Sequence, residues 1–129
     1  MVHLFVYGTL KKGGYYHHAL RGGKYIKTVR IPGYDMYFYG GGNYPVIIPG
    51  EGSIVAELYN VDESILRICD RIEGYYGEGQ NNLYERIEVE SETGEKGLIY
   101  VPPEKEHERI RVQHKKVEDG DWDVTWGYD

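Results

Sequence analysis

Apolar and polar residues alternate in short runs along most of the chain, and this period of two is typical of β-strands. The first run covers residues 1–7, where Val2, Leu4 and Val6 share one side of a predicted strand. Further runs predict strands at residues 24–31, 34–39, 46–49, 53–60, 84–92 and 95–101. Glycine and proline residues separate these runs and predict turns between them. The pattern therefore indicates a sheet of many short strands.

Residues 62–73 instead show the period of an amphipathic α-helix. Asp62 stands at the N-cap position and Gly74 follows as the C′ residue, so both ends carry residues that commonly bound a helix. On a helical wheel one apolar arc contains Ile65, Leu66, Ile68, Cys69 and Ile72.

Glu73 falls inside that apolar arc, between Cys69 and Leu66. Two interpretations follow. In the first, the last turn frays and the carboxylate reaches solvent. In the second, the carboxylate lies in a partly apolar cavity, where desolvation raises its pKa towards neutrality and suits it to proton transfer.

Many short strands with one main helix predict an α+β fold, in which a small mixed, barrel-like β-sheet surrounds one cavity. A shorter helical piece is expected at residues 15–20, and a flexible turn at residues 11–14. We expect a single domain over residues 1–129, with residues 102–129 as a less certain C-terminal extension. Residues 104–119 are expected to be a solvated surface or tail, and residues 119–122 to fold back over the body.

Composition and charge narrow the class of protein. The net charge is −6 at pH 7 and the pI is near 5.4, and the basic residues of the first half are scattered, which argues against nucleic-acid binding. No apolar run approaches the roughly 20 residues of a membrane span. A single cysteine, Cys69, rules out an internal disulfide framework and fits a reducing compartment, so a cytoplasmic protein is expected.

The common catalytic motifs are missing from the sequence. There is no H-E-x-x-H or C-x-x-C metal motif, no P-loop and no G-x-S-x-G serine. Cys69 lies on the apolar arc without an evident histidine partner, so we interpret it as a packed thiol. Neither a metal nor a cofactor is expected.

Several segments together resemble the γ-glutamylcyclotransferase-like family, and within it the γ-glutamylamine cyclotransferase and AIG-type branch. In chain order they read FVYGTL at residues 5–10, GNYPV at 42–46, VAELY at 55–59, DRIEG at 70–74 and YER at 84–86. Each motif alone is weak, but their order and spacing over residues 3–101 are more specific.

The resemblance implies a γ-glutamyl substrate site. The substrate's carboxylate end is expected at the backbone amides of Tyr7, Gly8, Thr9 and Leu10, where glycine at position 8 lets a ligand approach the backbone closely. Glu73 is expected as the catalytic acid and base, and Tyr84 as a further substrate-binding residue. Should Glu73 not act, Glu57 and Glu85 are the next carboxylates to test.

The reaction implied is attack of the substrate's α-amine on its own γ-carbonyl, which releases an amine and 5-oxoproline without a cofactor. The alternative is a non-catalytic binding barrel of the same fold, which gains nothing from an inward acid when its ligand is an anion. A small-molecule γ-glutamyl compound is the expected partner. The motifs specify neither its amine half nor the oligomeric state, and the loop at residues 74–83 is expected to shape the pocket.

Overall fold

The structure, a computed structural model that describes residues 1–127, is a mixed β-sheet with two α-helices. In chain order the elements are β1 (Val2–Val6), β2 (Lys24–Tyr39), β3 (Tyr44–Val61), α1 (Glu63–Glu73), β4 (Glu85–Glu90), β5 (Lys96–Val101) and α2 (His107–Gln113). The strand order is β2-β3-β1-β5-β4. The β1–β5 pair is parallel and the other pairs are antiparallel. The predicted α+β class with a mixed sheet is confirmed.

The sheet is open, so the expected barrel describes it only loosely. Strands β2 and β4 are its two edges, and no ladder joins them within residues 1–127. The edges approach each other at one end, where the Glu92 N–H donates to the carbonyl of Arg30 at 2.9 Å. The sheet therefore curls without closing.

Two long strands replace four predicted short ones. Residues 24–31 and 34–39 join as β2, and residues 46–49 and 53–60 join as β3. The turn signals Pro32-Gly33 and Pro49-Gly50 lie at one irregular place in the ladder, where Pro32 pairs with Ser53, Tyr34 pairs with Pro49, and the register shifts between these two pairs. A bulge bends both strands together there, so the ladder continues through residues that would otherwise end a strand.

The sheet is buried on both faces, and β1 contributes to both cores. Leu4 and Val6 belong to the core beneath α1, with Leu66 and Cys69. The alternate residues Phe5 and Tyr7 belong to a second core on the other face, with residues from all five strands. The alternation in residues 1–7 therefore separates two buried faces, not a buried face from a wet one.

Helix α1 has the predicted caps. The Asp62 carboxylate accepts the Ile65 N–H at 2.9 Å, and Gly74 adopts the left-handed conformation with φ of 69°. The predicted position of Ile68 is wrong, because 42% of it is exposed. The buried stripe is centred on the fully buried Cys69, and Ile68 lies about 100° from it around the helix.

The expectation of a solvated tail at residues 104–119 is wrong for much of that segment. It contains α2, whose Ile110 is fully buried against Tyr37, Val46 and Ile48. Residues 115–117 then run beside β2, where the Val117 N–H donates to the Met36 carbonyl at 2.8 Å.

Residues 119–122 fold back over the body as predicted, with Trp122 2% exposed. The turn at residues 11–14 binds residues 121–122 and is therefore not the flexible turn that the sequence predicted. Lys11 is only 8% exposed, and its Nζ donates to the Trp122 carbonyl at 2.7 Å and pairs with Asp121 at 3.1 Å. The predicted helical piece at residues 15–20 is a 3-10 turn, His17–Leu20. Within residues 1–127 no helix is long and apolar enough to cross a membrane.

Candidate active site

A cavity of about 220 Å³ lies where β1 ends and the last turn of α1 meets the segment before β4. All six residues that the sequence analysis assigned to a site contribute to its wall. They are Tyr7, Gly8, Thr9, Leu10, Glu73 and Tyr84. The rest of the wall includes Tyr16, Tyr44, Pro45, Ile72, Leu83 and Tyr100. The fold thus brings together residues that are more than 60 positions apart in the chain.

The turn after β1 lines this cavity and contains unpaired backbone donors. The N–H groups of Gly8, Thr9 and Leu10 donate to no acceptor within residues 1–127. The next N–H, of Lys11, is used by the Gly8 carbonyl at 3.0 Å. Because buried backbone donors are almost always paired, three successive free ones beside a cavity indicate a concave anion site.

Gly8 is required by packing, a reason that the sequence did not reveal. A Cβ at this position would lie 2.8 Å from both Cγ and Cδ of Pro45. The φ angle of Gly8 is not in the left-handed region, so the requirement is steric and not conformational. Pro45 presses on the turn from one side, which leaves no space for a larger residue.

Glu73 occupies the last turn of α1 and lines the cavity as a partly buried residue. Its carboxylate has no hydrogen-bond or ion-pair partner among the described residues. Burial therefore acts on the charge without compensation, and it raises the pKa of Glu73 to about 7. The frayed-end interpretation is wrong, because the helix includes Glu73 and ends at the next residue.

Two tyrosines complete the polar wall around Glu73. The Tyr7 hydroxyl donates to the Tyr100 carbonyl at 2.7 Å, so its proton is already in use. The Tyr84 hydroxyl makes no hydrogen bond with any residue between 1 and 127. Burial and the nearby Glu73 charge raise the pKa of both phenols well above its usual value, so both remain protonated.

A second polar cluster fixes α1 against β4 and β5, and the sequence analysis gave it no role. Asp70 accepts hydrogen bonds from Arg86 at 2.5 Å and from the Tyr100 hydroxyl at 2.6 Å. The Arg86 guanidinium also lies 4.8 Å from the centre of the Tyr75 ring. Asp70 and Arg86 both belong to motifs quoted above, and that was the one sequence signal that could have pointed to this cluster.

The loop at residues 74–83 is ordered by one buried side chain. Asn82, 7% exposed, accepts the Tyr76 N–H at 2.7 Å and donates to the Gly77 carbonyl at 2.9 Å and to Glu85 at 3.0 Å. The two residues that follow Asn82, Leu83 and Tyr84, form part of the cavity wall. The loop therefore sets one side of the pocket, and the contact with Asn82 keeps Glu85 outside it.

The cavity wall contains no lysine, arginine or histidine. Among residues 1–127, no three histidine, cysteine, aspartate or glutamate side chains are grouped so that they could hold a metal ion. An anion in this cavity would be bound by backbone amides, while Glu73 offers a base of near-neutral pKa. The arrangement suits proton transfer on a small ligand that carries both a carboxylate and an amine.

Comparisons with known proteins show the family of this chain. The family model described as "Gamma-glutamyl cyclotransferase, AIG2-like" matches residues 4–124. The protein PH0828 of Pyrococcus horikoshii is 31% identical over 122 residues, which are 95% of this chain and 91% of that protein. The gamma-glutamylaminecyclotransferase of Rattus norvegicus is 37% identical over 83 residues, which are 57% of this chain and 56% of the rat protein.

Solved structures show the same fold. The crystal structure of PH0828 superposes with a TM-score of 0.76 at 29% identity, and the match covers 97% of this chain and 92% of that one. An AIG2-like protein from Mus musculus superposes with a TM-score of 0.73 at 23% identity, over 95% of this chain and 88% of the mouse chain. The chain therefore belongs to the AIG2-like γ-glutamyl cyclotransferase family.

Proposed function

We propose that this protein cleaves a γ-glutamyl amide by intramolecular attack of the substrate's α-amine, releasing 5-oxoproline and a free amine. One observation carries the proposal: the unpaired Glu73 carboxylate, of pKa about 7, shares a cavity with three unpaired backbone donors. A γ-glutamyl group carries an α-carboxylate for those donors and an α-ammonium for that carboxylate. The family name and the rat relative point to the same chemistry.

The reaction can be written with these groups alone. The N–H groups of Gly8, Thr9 and Leu10 bind the α-carboxylate, and ionised Glu73 takes one proton from the α-ammonium. The neutral amine attacks the γ-carbonyl carbon, and a new C–N bond closes the five-membered ring. The proton held by Glu73 passes to the leaving nitrogen as the original amide C–N bond breaks. The ring nitrogen, which became cationic in the attack, gives its extra proton to the Glu73 carboxylate, and from there this proton passes to the released amine, which leaves as an ammonium.

The main contribution of the cavity is to hold the substrate in the conformation that closes the ring. Such intramolecular positioning can remove roughly 7–11 kcal/mol of a barrier. The free Tyr84 hydroxyl is a suitable donor to the γ-carbonyl oxygen as negative charge develops there. Its raised pKa keeps the proton that this role requires.

The composition of the cavity wall also indicates which amine half of a substrate would fit. Leu83, Tyr16 and Tyr44 offer apolar surface, and no cationic side chain is present to neutralise a second carboxylate. A γ-glutamyl compound with an uncharged alkyl or aryl amine therefore fits better than one whose amine half carries a carboxylate.

The test is incubation with a panel of γ-glutamyl compounds that includes alkylamides and dipeptides, with 5-oxoproline measured by mass spectrometry. We expect release from an alkylamide, and a fall of about 10²–10⁴-fold in Glu73→Gln, which keeps the shape but cannot take the proton. The exposed Glu63→Gln, on the same helix, is the matched control. A folded Glu73→Gln variant with normal release would contradict the role of Glu73.

A further inference from the structure

A second cavity, of about 680 Å³, begins at Lys12, just after the candidate carboxylate-binding turn, and the proposed reaction does not use it. Its wall contains Glu57, Tyr59, His17 and Lys12, none of which lines the first cavity. Two of these side chains, Glu57 and His17, contact the backbone at the end of the turn.

Glu57 makes one of these two contacts with the backbone. Its Oε1 accepts the backbone N–H of Lys12 at 2.9 Å and the hydroxyl of Tyr59 at 2.8 Å. Tyr59 is 5% exposed, and Glu57 lies within β3, directly opposite Val6 of β1. The carboxylate is thus fixed by the sheet and by a buried phenol before it meets the turn.

His17 makes the other contact. Its Nδ1 lies 2.9 Å from the carbonyl oxygen of Leu10. The backbone adds a further contact, because the Tyr16 N–H donates to the Thr9 carbonyl at 2.8 Å. The carbonyl groups of Thr9 and Leu10 are thereby engaged, while the N–H groups of Gly8, Thr9 and Leu10, residues that line the first cavity, have no acceptor within residues 1–127.

This division of the backbone groups has a consequence for binding. Free N–H groups bind an anion well only when their directions are fixed beforehand, since ordering them on binding costs conformational free energy. The bond from Lys12 to Glu57 fixes the end of the turn just after the free donors. We propose that Glu57, assisted by His17, is a positioning residue that orients the amides of residues 8–10 towards the substrate's α-carboxylate; this rests on the proposed function.

The variants Glu57→Ala and Glu57→Gln separate positioning from charge. Alanine removes the acceptor of the Lys12 N–H, whereas the glutamine amide oxygen still accepts it. For an active γ-glutamyl alkylamide, we expect Glu57→Ala to raise KM about tenfold, the size of one lost hydrogen bond, with little change in kcat. Glu57→Gln should restore the wild-type KM. Glu51→Ala, an exposed glutamate of the same strand, is the control.

A substrate analogue supplies the readout that a merely structural role would not move. With the α-carboxamide of the same alkylamide, the turn has no anion to bind, so Glu57→Ala and the wild type should have the same KM. Equal loss on both compounds would mean general destabilisation and overturn the inference. If Glu57→Ala does not fold, His17→Ala, with His17→Asn as the conservative variant, gives the same comparison.

The inference and the proposed function fail differently. If the wild type releases no 5-oxoproline from any compound, the proposed function fails and the inference falls with it. If the wild type is active but neither Glu57→Ala nor His17→Ala changes KM, only the inference is overturned. Loss of hydrogen-exchange protection at the Lys12 amide in Glu57→Ala, restored in Glu57→Gln, would support it independently of turnover.

Discussion

Three glutamates show how their surroundings decide what a carboxyl group can do. Glu57 accepts two hydrogen bonds, and Glu85 accepts one from Asn82. Glu73 has no such partner among residues 1–127, and burial raises its pKa to about 7. Only Glu73 combines a place in the first cavity with a pKa suited to proton transfer near neutrality.

The pH dependence of the rate should follow ionisation of Glu73. Because the base must be ionised to take a proton from the substrate's ammonium, kcat/KM should climb as pH rises through about 7. The measurement is kcat/KM between pH 5 and 8.5 on one active alkylamide. A rate that is already nearly constant from pH 5 upward, as the ordinary glutamate pKa of about 4.3 would give, would contradict the desolvated site.

The pH dependence of the free energy of unfolding is a second measure of the Glu73 pKa. The folded-state pKa of Glu73 lies above its unfolded value of 4.5, so the folded protein binds the proton more tightly. This contribution to the free energy of unfolding is complete below 4.5 and is lost as pH rises through about 7. The difference between wild type and Glu73→Gln, from urea unfolding at pH 5 and pH 8, should change by about 3 kcal/mol or less.

At the scale of elements, the loop between α1 and β4 sets one wall of the cavity although it has no regular structure. Gly74 ends α1 in the left-handed conformation, and its carbonyl accepts the Leu83 N–H at 3.0 Å, which closes the loop. Asn82 fills the enclosed space with three hydrogen bonds. Leu83, 71% exposed, is left at the mouth of the cavity.

Removing the Asn82 side chain should loosen the loop and the wall together. Asn82→Ala leaves the Tyr76 N–H without its acceptor and the Gly77 carbonyl with only the Gln80 N–H, which should cost about 1–3 kcal/mol in the free energy of unfolding. It should also raise KM, since Leu83 and Tyr84 follow directly. Urea unfolding and KM for an alkylamide check both effects. The exposed neighbour Asn81→Ala is the control, and an equal loss in both variants would contradict the role of Asn82.

At the scale of the whole molecule, the C-terminal segment is part of the core and supports the turn that lines the first cavity. Trp122 packs edge-on against Phe38 at 5.6 Å and Trp126 at 5.1 Å between ring centres. The buried Lys11, one residue after the free amides, binds the carbonyl of Trp122. The two parts of the chain are therefore mutually supporting.

Trp122→Ala should be among the most damaging single substitutions in this protein. Loss of a buried tryptophan creates a cavity in the core and typically costs about 3–5 kcal/mol. Trp126, 39% exposed, is the matched control, and its replacement by alanine should cost clearly less. The two alanine variants are compared by urea unfolding, with circular dichroism as the signal. Equal free energies of unfolding for both variants would show that the segment is not part of the core.

The sequence by itself determined the features that depend on local order. The alternation in residues 1–7 and the run at residues 95–101 placed β1 and β5, and Asp62 and Gly74 bounded α1. The wheel angle of Glu73 and the motif around Gly8 are also local, and both residues line one cavity as expected. Such signals can be read from the sequence because caps, periods and turns act within a few residues.

Only the tertiary structure decided the features that depend on distant partners. Pro32 and Pro49 are typical of strand ends, but each is paired in the ladder, Pro32 with Ser53 and Pro49 with Tyr34, on the two sides of a register shift. The sequence of α2 is mostly charged and gave no helix signal, because this helix depends on one buried side chain, Ile110, which packs against the sheet. Glu57 and Glu73 carry the same carboxyl group, and their surroundings leave one hydrogen-bonded and the other desolvated, with a pKa of about 7. Those contacts arise from packing between segments far apart in the chain, which no local pattern encodes.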